Sequence, residues 1–256
     1  MCFIKVDIIS KGFNYAQDGP GNRLVYHLNG CNMRCPWCSN PEGMSSHGTQ
    51  MTDKRGITRR SFNSIECDSI VEEVLSSRSI FIDGGGVTFS GGEPTLQFEA
   101  LKYILIRLKA EQIHTVIETN ATHPFLPELL PYIDLLIADL KHCDSEICKA
   151  YTGVPNEGVI QNIRHASEQE LELWIRTPLI NGFNSDLKYI GGFINIYRQL
   201  NLHNTSFELL SYHEFGKVKW EQCGMKYTIS NGYIAEEILH AYEAAYSQEG
   251  LRVIRT

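Results

Sequence analysis

The chain has 256 residues, of which 43% are hydrophobic, and its formal net charge is −7. This length is usual for one α/β barrel, and the apolar fraction is sufficient for a large core. The acidic balance argues against nucleic acid as a partner, and no stretch approaches the ~20 apolar residues of a membrane span. The N-terminal segment MCFIKVDIIS lacks the features of a secretory signal, so we expect a cytoplasmic protein with no membrane partner.

Apolar runs of strand length alternate with helical patterns along the chain. An N-terminal strand is followed by a strand over residues 24–30, a cysteine-rich loop, an irregular excursion over 39–65 and a helix near 66–78. Further strands are predicted at 86–90, 114–119, 134–140, 171–177 and 206–212. Further helices are predicted around 96–110, 144–150, 156–169, 185–200 and 233–248. Apolar strands that alternate with helices indicate parallel β/α units, and six such units predict an incompletely closed barrel or an open sheet in a single domain.

Three cysteines, Cys31, Cys35 and Cys38, lie in a C-x3-C-x2-C spacing. Cubane iron–sulfur clusters are normally held by four thiolates, so a set of three leaves one iron free to bind another group. Structural zinc with His27 or His47 as fourth ligand is the less favoured alternative, because structural zinc spacings are usually paired CxxC units. The remaining cysteines are scattered, and we interpret them as free thiols of a reducing cytoplasm. They are Cys2, Cys67, Cys143, Cys148 and Cys223.

Polar residues collect where the predicted strands end. In parallel β/α folds the carboxyl ends of the strands share one face, where active sites are built. Each residue also has a structural interpretation: the glycines suit a turn, Asp139 and Lys141 suit an ion pair, and an isolated His213 suits a packing role. The convergence of these residues on one face is stronger evidence for an active site than any single motif. The residues are Gly91, Gly92, Glu93, Asn120, Asp139, Lys141, Arg176 and His213.

Eight short strings, taken in order, resemble the radical S-adenosylmethionine (SAM) enzymes, and within them the glycyl-radical-enzyme activating enzymes of the pyruvate formate-lyase type. The resemblance covers most of the chain and implies a partial (β/α)6 TIM-like barrel over residues 1–256. The strings are DGPGNR (18–23), GCNMRCPWCSNPE (30–42), TFSGGEPTLQ (88–97), ETN (118–120), ADLKH (138–142), YTGVPNEGVIQNI (151–163), WIRTPLINGFN (174–184) and SYHEFGKVKW (211–220).

The resemblance also implies roles for single residues. The loop 31–38 would hold a [4Fe–4S] cluster through its three cysteines, with SAM chelating the fourth iron and Trp37 lying against the adenine. Gly91, Gly92 and Glu93 would receive the methionine amino group of SAM. Lys141 and Arg176 would meet its carboxylate or nearby polar groups, and His213 its ribose. A monovalent cation beside SAM would be bound by Glu118, Thr119 and Asp139, although Glu118 replaces the aspartate of the type enzyme.

The implied reaction is reductive cleavage of SAM to a 5′-deoxyadenosyl radical, which removes an α-hydrogen from a glycine of a partner glycyl radical enzyme. The DGPGNR segment resembles the part of the family that lines the entrance for that glycine. Only Cys67 lies between the cysteine loop and GGEP, so we expect no auxiliary cluster domain, and we expect a monomer. The alternatives are a radical SAM enzyme for a small molecule, of the 7-carboxy-7-deazaguanine synthase type, and a non-enzymatic cluster- or zinc-binding regulatory module.

The chain has one local excess of positive charge in the run DKRGITRR. It contains Lys54, Arg55, Arg59 and Arg60 within seven residues. A solvated loop is the favoured interpretation. The alternative hypothesis is that the run helps to dock an electron donor, since flavodoxins and ferredoxins are generally acidic.

Overall fold

A computed structural model describes residues 4–256 of the chain, and Cys2 therefore lies outside the described residues. Eleven strands and seven α-helices are present in this part of the chain. The strands are β1 (Lys5–Tyr15), β2 (Asn22–Leu28), β3 (Gln50–Thr52), β4 (Thr58–Arg60), β5 (Asn63–Glu66), β6 (Gly86–Gly91), β7 (Thr115–Thr119), β8 (Leu135–Asp139), β9 (Glu172–Leu179), β10 (Thr205–Ser211) and β11 (Val253–Ile254). The helices are α1 (Cys67–Ser76), α2 (Phe98–Ala110), α3 (Ser145–Thr152), α4 (Glu157–Ser167), α5 (Ile190–Tyr197), α6 (Lys217–Gln222) and α7 (Glu236–Gln248).

Nine strands form one sheet in the order β11-β10-β9-β8-β7-β6-β2-β1-β5. Six neighbouring strands, β2 and β6 to β10, run parallel to one another. At one edge β1 and β5 add antiparallel pairs, and at the other edge β11 pairs in parallel with β10. The edge strands β5 and β11 are not paired with each other, so the barrel is open. The predicted α/β fold with six parallel units is confirmed.

The helices cover the outer face of the sheet because each has one apolar side. In α2 the buried residues Leu101, Ile104, Leu105 and Leu108 recur at the spacing of a single helical face. The central strands are buried on both faces, as expected for parallel strands covered by helices, and β8 reads Leu-Leu-Ile-Ala before its final aspartate. One large cluster of buried side chains joins these elements.

The segment 39–65 is more regular than predicted. It contains the hairpin β3–β4 and the edge strand β5, which pairs with β1. These strands are three or four residues long and mostly polar, so they show no alternation that the sequence could reveal. The predicted helix at 185–200 is shorter, since Asp186 caps a 3-10 turn over Leu187–Tyr189 before α5 begins.

The loop between β1 and β2 folds into the interior of the barrel from the side where the parallel strands begin. Arg23, which is fully buried, fixes it by donating from Nη1 to the Pro20 carbonyl at 2.5 Å and from Nε to Thr88 Oγ1 at 2.7 Å. The Thr88 hydroxyl in turn donates to the Asp18 carbonyl at 2.7 Å. Gly21 has φ +65°, and a Cβ there would lie 2.2 Å from the Ile82 carbonyl oxygen, so the close approach requires glycine.

Candidate cofactor and active site

The open barrel encloses a cavity of about 560 Å³, within the range of small-molecule sites. The cysteine loop lies at one end of it, and the loop between β1 and β2 contributes Gln17 and Asp18. Twelve of the thirteen residues that the sequence assigns to the site line this cavity. They are Cys31, Cys35, Trp37, Cys38, Gly91, Gly92, Glu118, Thr119, Asp139, Lys141, Arg176 and His213.

The cysteine loop starts directly after β2 and is held against the loop that follows β6. The Gly30 amide donates to the Gly43 carbonyl at 2.9 Å, and the Glu93 amide donates to the Gly30 carbonyl at 2.7 Å. Between the cysteines, Met33 and Trp37 are buried in a small apolar cluster with Ile180, Phe183 and Tyr212. The apolar residues inside the motif therefore anchor the loop, while its cysteines face the cavity.

The three thiols lie in surroundings that suit a bound iron–sulfur cluster. Burial raises the pKa of Cys35 and of Cys38 to about 12 and also raises that of Cys31, so the thiols are protonated at neutral pH until a metal displaces the protons. Backbone amides already point at two of the sulfurs: Met33 N lies 3.4 Å from Cys31 Sγ, and Asn40 N lies 3.4 Å from Cys38 Sγ. Such hydrogen bonds to sulfur stabilise the charge of a ligated cluster.

Structural zinc is the alternative group that these thiols could bind. Of its two candidate fourth ligands, His27 lines the cavity and His47 does not. Within residues 4–256, no three His, Cys, Asp or Glu side chains are grouped closely enough to hold a single metal ion. The other cysteines in this range, Cys67, Cys143, Cys148 and Cys223, are free thiols, and burial raises the pKa of each.

The Glu93 side chain does not line the cavity, and its implied contact with SAM stays a prediction. The side chain is fully buried and accepts hydrogen bonds from Asn120 N at 2.7 Å and from Thr119 Oγ1 at 2.6 Å, besides two from Thr95. These contacts join the ends of β6 and β7. Gly91 and Gly92 do line the cavity. The structure thus gives Glu93 a bracing role and leaves the two glycines next to the cofactor space.

A buried charge network forms the wall of the cavity between β7, β9 and β10. Arg176, 3% exposed, donates to Glu118 Oε1 and to Glu208 Oε2, both at 2.5 Å. A further Arg176 nitrogen donates to the Gln17 carbonyl, which ties the network to the loop between β1 and β2. Asp18 lies beside Glu118, and burial followed by that neighbouring charge raises the pKa of Asp18 to about 7. Arg176 therefore neutralises two carboxylates, while Asp18 holds a proton more readily than an ordinary aspartate.

The three residues of the predicted cation site each bind another protein group. Glu118 accepts from Arg176 and from Ser90 Oγ, Thr119 donates to Glu93, and Asp139 pairs with Lys141 at 2.9 Å. The sequence analysis gave an ion pair as the structural interpretation of Asp139 and Lys141, and the structure contains this pair. Both of its members line the cavity, so the pair presents an ammonium and a carboxylate to the cofactor space. The cation site at Glu118, Thr119 and Asp139 stays a prediction.

Two aromatic groups border the same space. The Trp37 ring packs on Phe183 with centroids 4.5 Å apart, which leaves it at the cavity wall next to Cys38. The His213 ring stacks on Phe215 at 4.2 Å, and burial lowers its pKa, so it is a neutral imidazole at physiological pH. Phe215 is 81% exposed although it also borders the cavity, so it lies at the opening.

The sequence did not single out four residues of this site, Gln17, Asp18, Glu208 and Thr256. Asp18 lies in the quoted DGPGNR string, but nothing in the string shows that its side chain meets Glu118. Glu208 sits in the middle of an apolar strand, where a buried carboxylate needs a paired cation. That rule could have flagged Glu208, whereas the identity of Arg176 as its partner required the strand register, in which the two residues are paired.

The fold and the site together define a partial β/α barrel with a three-cysteine loop at one end of an internal cavity. The model for the radical SAM superfamily matches residues 25–189, so the chain belongs to that superfamily. The prediction of a radical SAM enzyme with a [4Fe–4S] cluster and SAM as cofactors is confirmed by this membership. None of the helices in residues 4–256 is long and apolar enough to cross a membrane.

Curated relatives are activating enzymes. The pyruvate formate-lyase-activating enzyme of Staphylococcus epidermidis is 36% identical over 227 residues, which is 84% of each chain. The 4-hydroxyphenylacetate decarboxylase activating enzyme of Clostridioides difficile is 31% identical over 288 residues, covering 91% of this chain and 90% of the relative. The predicted resemblance to activating enzymes is thereby confirmed.

Solved structures agree on the fold. A domain of a pyruvate-formate lyase-activating enzyme from Bacteroides vulgatus is 30% identical with a TM-score of 0.56, and the match covers 66% of this chain and 98% of that one. QueE from Escherichia coli has a TM-score of 0.58 over 97% of this chain and 92% of its own, but it is only 12% identical. The similarity to QueE therefore concerns the fold alone.

Proposed function

We propose that this chain activates a partner glycyl radical enzyme by abstracting an α-hydrogen from one of its glycines. The observation that carries the proposal is one continuous cavity between the three-cysteine loop and the loop between β1 and β2, in a chain whose relatives are named activating enzymes. When bound, the cluster and SAM supply one electron and a 5′-deoxyadenosyl radical for this hydrogen transfer.

The residues of the chain would hold and orient these groups. Cys31, Cys35 and Cys38 would ligate the cluster. The Lys141 ammonium, nearly buried beside Asp139, would attract the SAM carboxylate, and the raised pKa of this lysine keeps it charged. SAM and the bound substrate would displace water from the cavity, which would limit side reactions of a radical.

The loop between β1 and β2 would place the partner's glycine. Its backbone is held rigidly by Arg23 and Arg176, and Asp18 presents a carboxyl group to the cavity. A protonated Asp18 could donate a hydrogen bond to a peptide carbonyl, whereas an ionised one could accept from a peptide amide. We further propose that the enzyme is a cytoplasmic monomer and that residues 1–256 form one radical SAM core domain without an auxiliary cluster domain. A flavodoxin or ferredoxin would supply the electron.

The second candidate is a radical SAM enzyme that acts on a small molecule. The cavity is large enough for one beside SAM, and the fold of QueE is similar. The exposed Phe215 at the opening favours a protein substrate, because large apolar side chains at a rim commonly belong to protein interfaces.

The test is reconstitution under anaerobic conditions with iron and sulfide, followed by reduction in the presence of SAM. We expect 5′-deoxyadenosine, and with the matching glycyl radical enzyme a glycine-centred EPR doublet. Cys35→Ser should abolish both signals together with the iron content, whereas the control Cys143→Ser, outside the cavity, should retain all three. Formation of 5′-deoxyadenosine without a glycyl radical from any candidate partner would favour the small-molecule alternative.

A further inference from the structure

The hairpin β3–β4 is a strongly basic surface on an acidic protein. Its residues 50–60 carry four cations and one carboxylate, so their net charge is +3, while the whole chain has −7. Lys54 and Arg55 lie in the turn and Arg59 and Arg60 in β4, and all four are exposed. The single carboxylate, Asp53, is engaged by the backbone amides of the turn rather than by a cation.

These four cations differ from many others on the surface because they have no carboxylate partner within residues 4–256. Elsewhere the surface cations are commonly paired, for example Lys102 with Glu128 at 2.6 Å and Lys109 with Asp134 at 2.8 Å. Unpaired like charges so close together repel one another. The hairpin therefore has a positive electrostatic potential that can attract an anionic molecule outside the chain.

The hairpin is also close to the cysteine loop. Strand β3 packs beside α6, and α6 packs on the turn Pro41–Gly43 that directly follows the loop. From α6, Trp220 Nε1 donates to the Cys38 carbonyl at 2.9 Å, and Lys219 pairs with Glu42 at 2.8 Å. A protein bound over the hairpin and α6 would thus be separated from the cluster ligands by a thin layer of side chains.

We propose that the hairpin β3–β4 and the adjoining α6 form the docking surface of an acidic one-electron carrier of the flavodoxin type. This inference rests on the proposed function, because the reaction consumes one electron for each SAM cleaved. The carrier would lose one electron, and the cluster that Cys31, Cys35 and Cys38 would hold would gain it. The sequence alone favoured a solvated loop for these residues; the packing of β3 on α6, which reaches the Cys38 carbonyl, supplies the reason to revise that interpretation.

The test compares two reductants on the reconstituted enzyme. Arg55→Glu/Arg59→Glu is assayed with reduced flavodoxin and, separately, with dithionite, and the rates of cluster reduction and of 5′-deoxyadenosine formation are measured. With flavodoxin at low salt we expect a decrease of about tenfold, since steering contributes 10- to 10³-fold to association rates. With dithionite we expect no change. In about 1 M salt the deficit should largely disappear, because the Debye length falls to about 3 Å.

The matched control is Lys149→Glu/Arg164→Glu, which makes the same charge change at exposed positions on α3 and α4. It should leave both rates near those of the parent enzyme. Equal rates for the hairpin variant and the parent with flavodoxin would overturn the proposal. A defect of the same size with dithionite would also overturn it and would indicate a structural effect or a different partner. If the parent enzyme itself forms no 5′-deoxyadenosine with dithionite, the proposed function fails instead.

Discussion

Neutralising Glu208 should destabilise the protein strongly, because its carboxylate is part of a buried ion pair. Arg176 and Glu208 are 3% and 2% exposed, and their closest atoms are 2.5 Å apart. Breaking a buried pair by removing one partner costs about 3–5 kcal/mol. Arg176 retains Glu118, so we expect the lower end of this range for Glu208→Gln, about 3 kcal/mol. At ~2–4 °C per kcal/mol for a chain of this size, Tm should fall by about 6–12 °C.

The measurement is thermal unfolding of the reconstituted enzyme at one pH and one SAM concentration. Glu249→Gln is the control, since it removes an ion pair with Arg198 that is largely exposed, and such pairs contribute about 0–1 kcal/mol. The reasoning would be refuted by equal Tm values for the two variants, because Arg176 would then be satisfied without Glu208.

Three further predictions concern the loop between β1 and β2 and the opening of the cavity. Gly21→Ala should lower the free energy of unfolding by more than about 1–3 kcal/mol, because the new Cβ would meet backbone atoms. Gly250 has φ +74° and nothing within 4 Å of an added Cβ, so Gly250→Ala should cost only the backbone strain. Urea unfolding measures both losses, and equal losses would contradict the reasoning. The contribution of Asp18 to the free energy of unfolding should fall as pH rises from about 4 to 7, because folding raises the pKa of Asp18 to about 7. Asp18→Asn should remove this part of the pH dependence, and a pH profile parallel to that of the parent would contradict the reasoning. Phe215→Ser should raise KM for the partner enzyme several-fold with unchanged Tm, and an unchanged KM would exclude Phe215 from the interface.

The parallel strands could be predicted from the sequence because they are mainly apolar. A strand buried on both faces needs such a run, and β8 shows one before its final aspartate. Helix α6, six residues long and mostly polar, escaped prediction. The strands that also did so, β3, β4, β5 and β11, are short and mostly polar or lie at a sheet edge. Their conformation depends on pairing with β1, with β10 or with each other, and no local pattern records that pairing.

The composition of the site was also predictable, since each strand end carries its own polar residue. The hydrogen-bond and ion-pair partners of these residues could not be predicted. Arg176 lines the cavity, but no pattern in the sequence shows that its guanidinium is engaged by Glu118, Glu208 and the Gln17 carbonyl. The contacts by which Glu93 joins β6 to β7 were equally hidden. In both cases the deciding factor is the cost of burying an unpaired charge, which depends on neighbours that are distant in sequence.

The positions of these groups bear on how two proteins could use one small enzyme. The cysteine loop separates the cavity, which its thiols face, from α6, which contacts the carbonyl of Cys38 on the other side. None of the four hairpin cations lines the cavity. Phe215, at the cavity opening, lies only two residues before α6 begins at Lys217, so a carrier that covered all of α6 would also lie close to the opening. Simultaneous binding of a substrate protein would therefore require the carrier to stay on the hairpin side of α6.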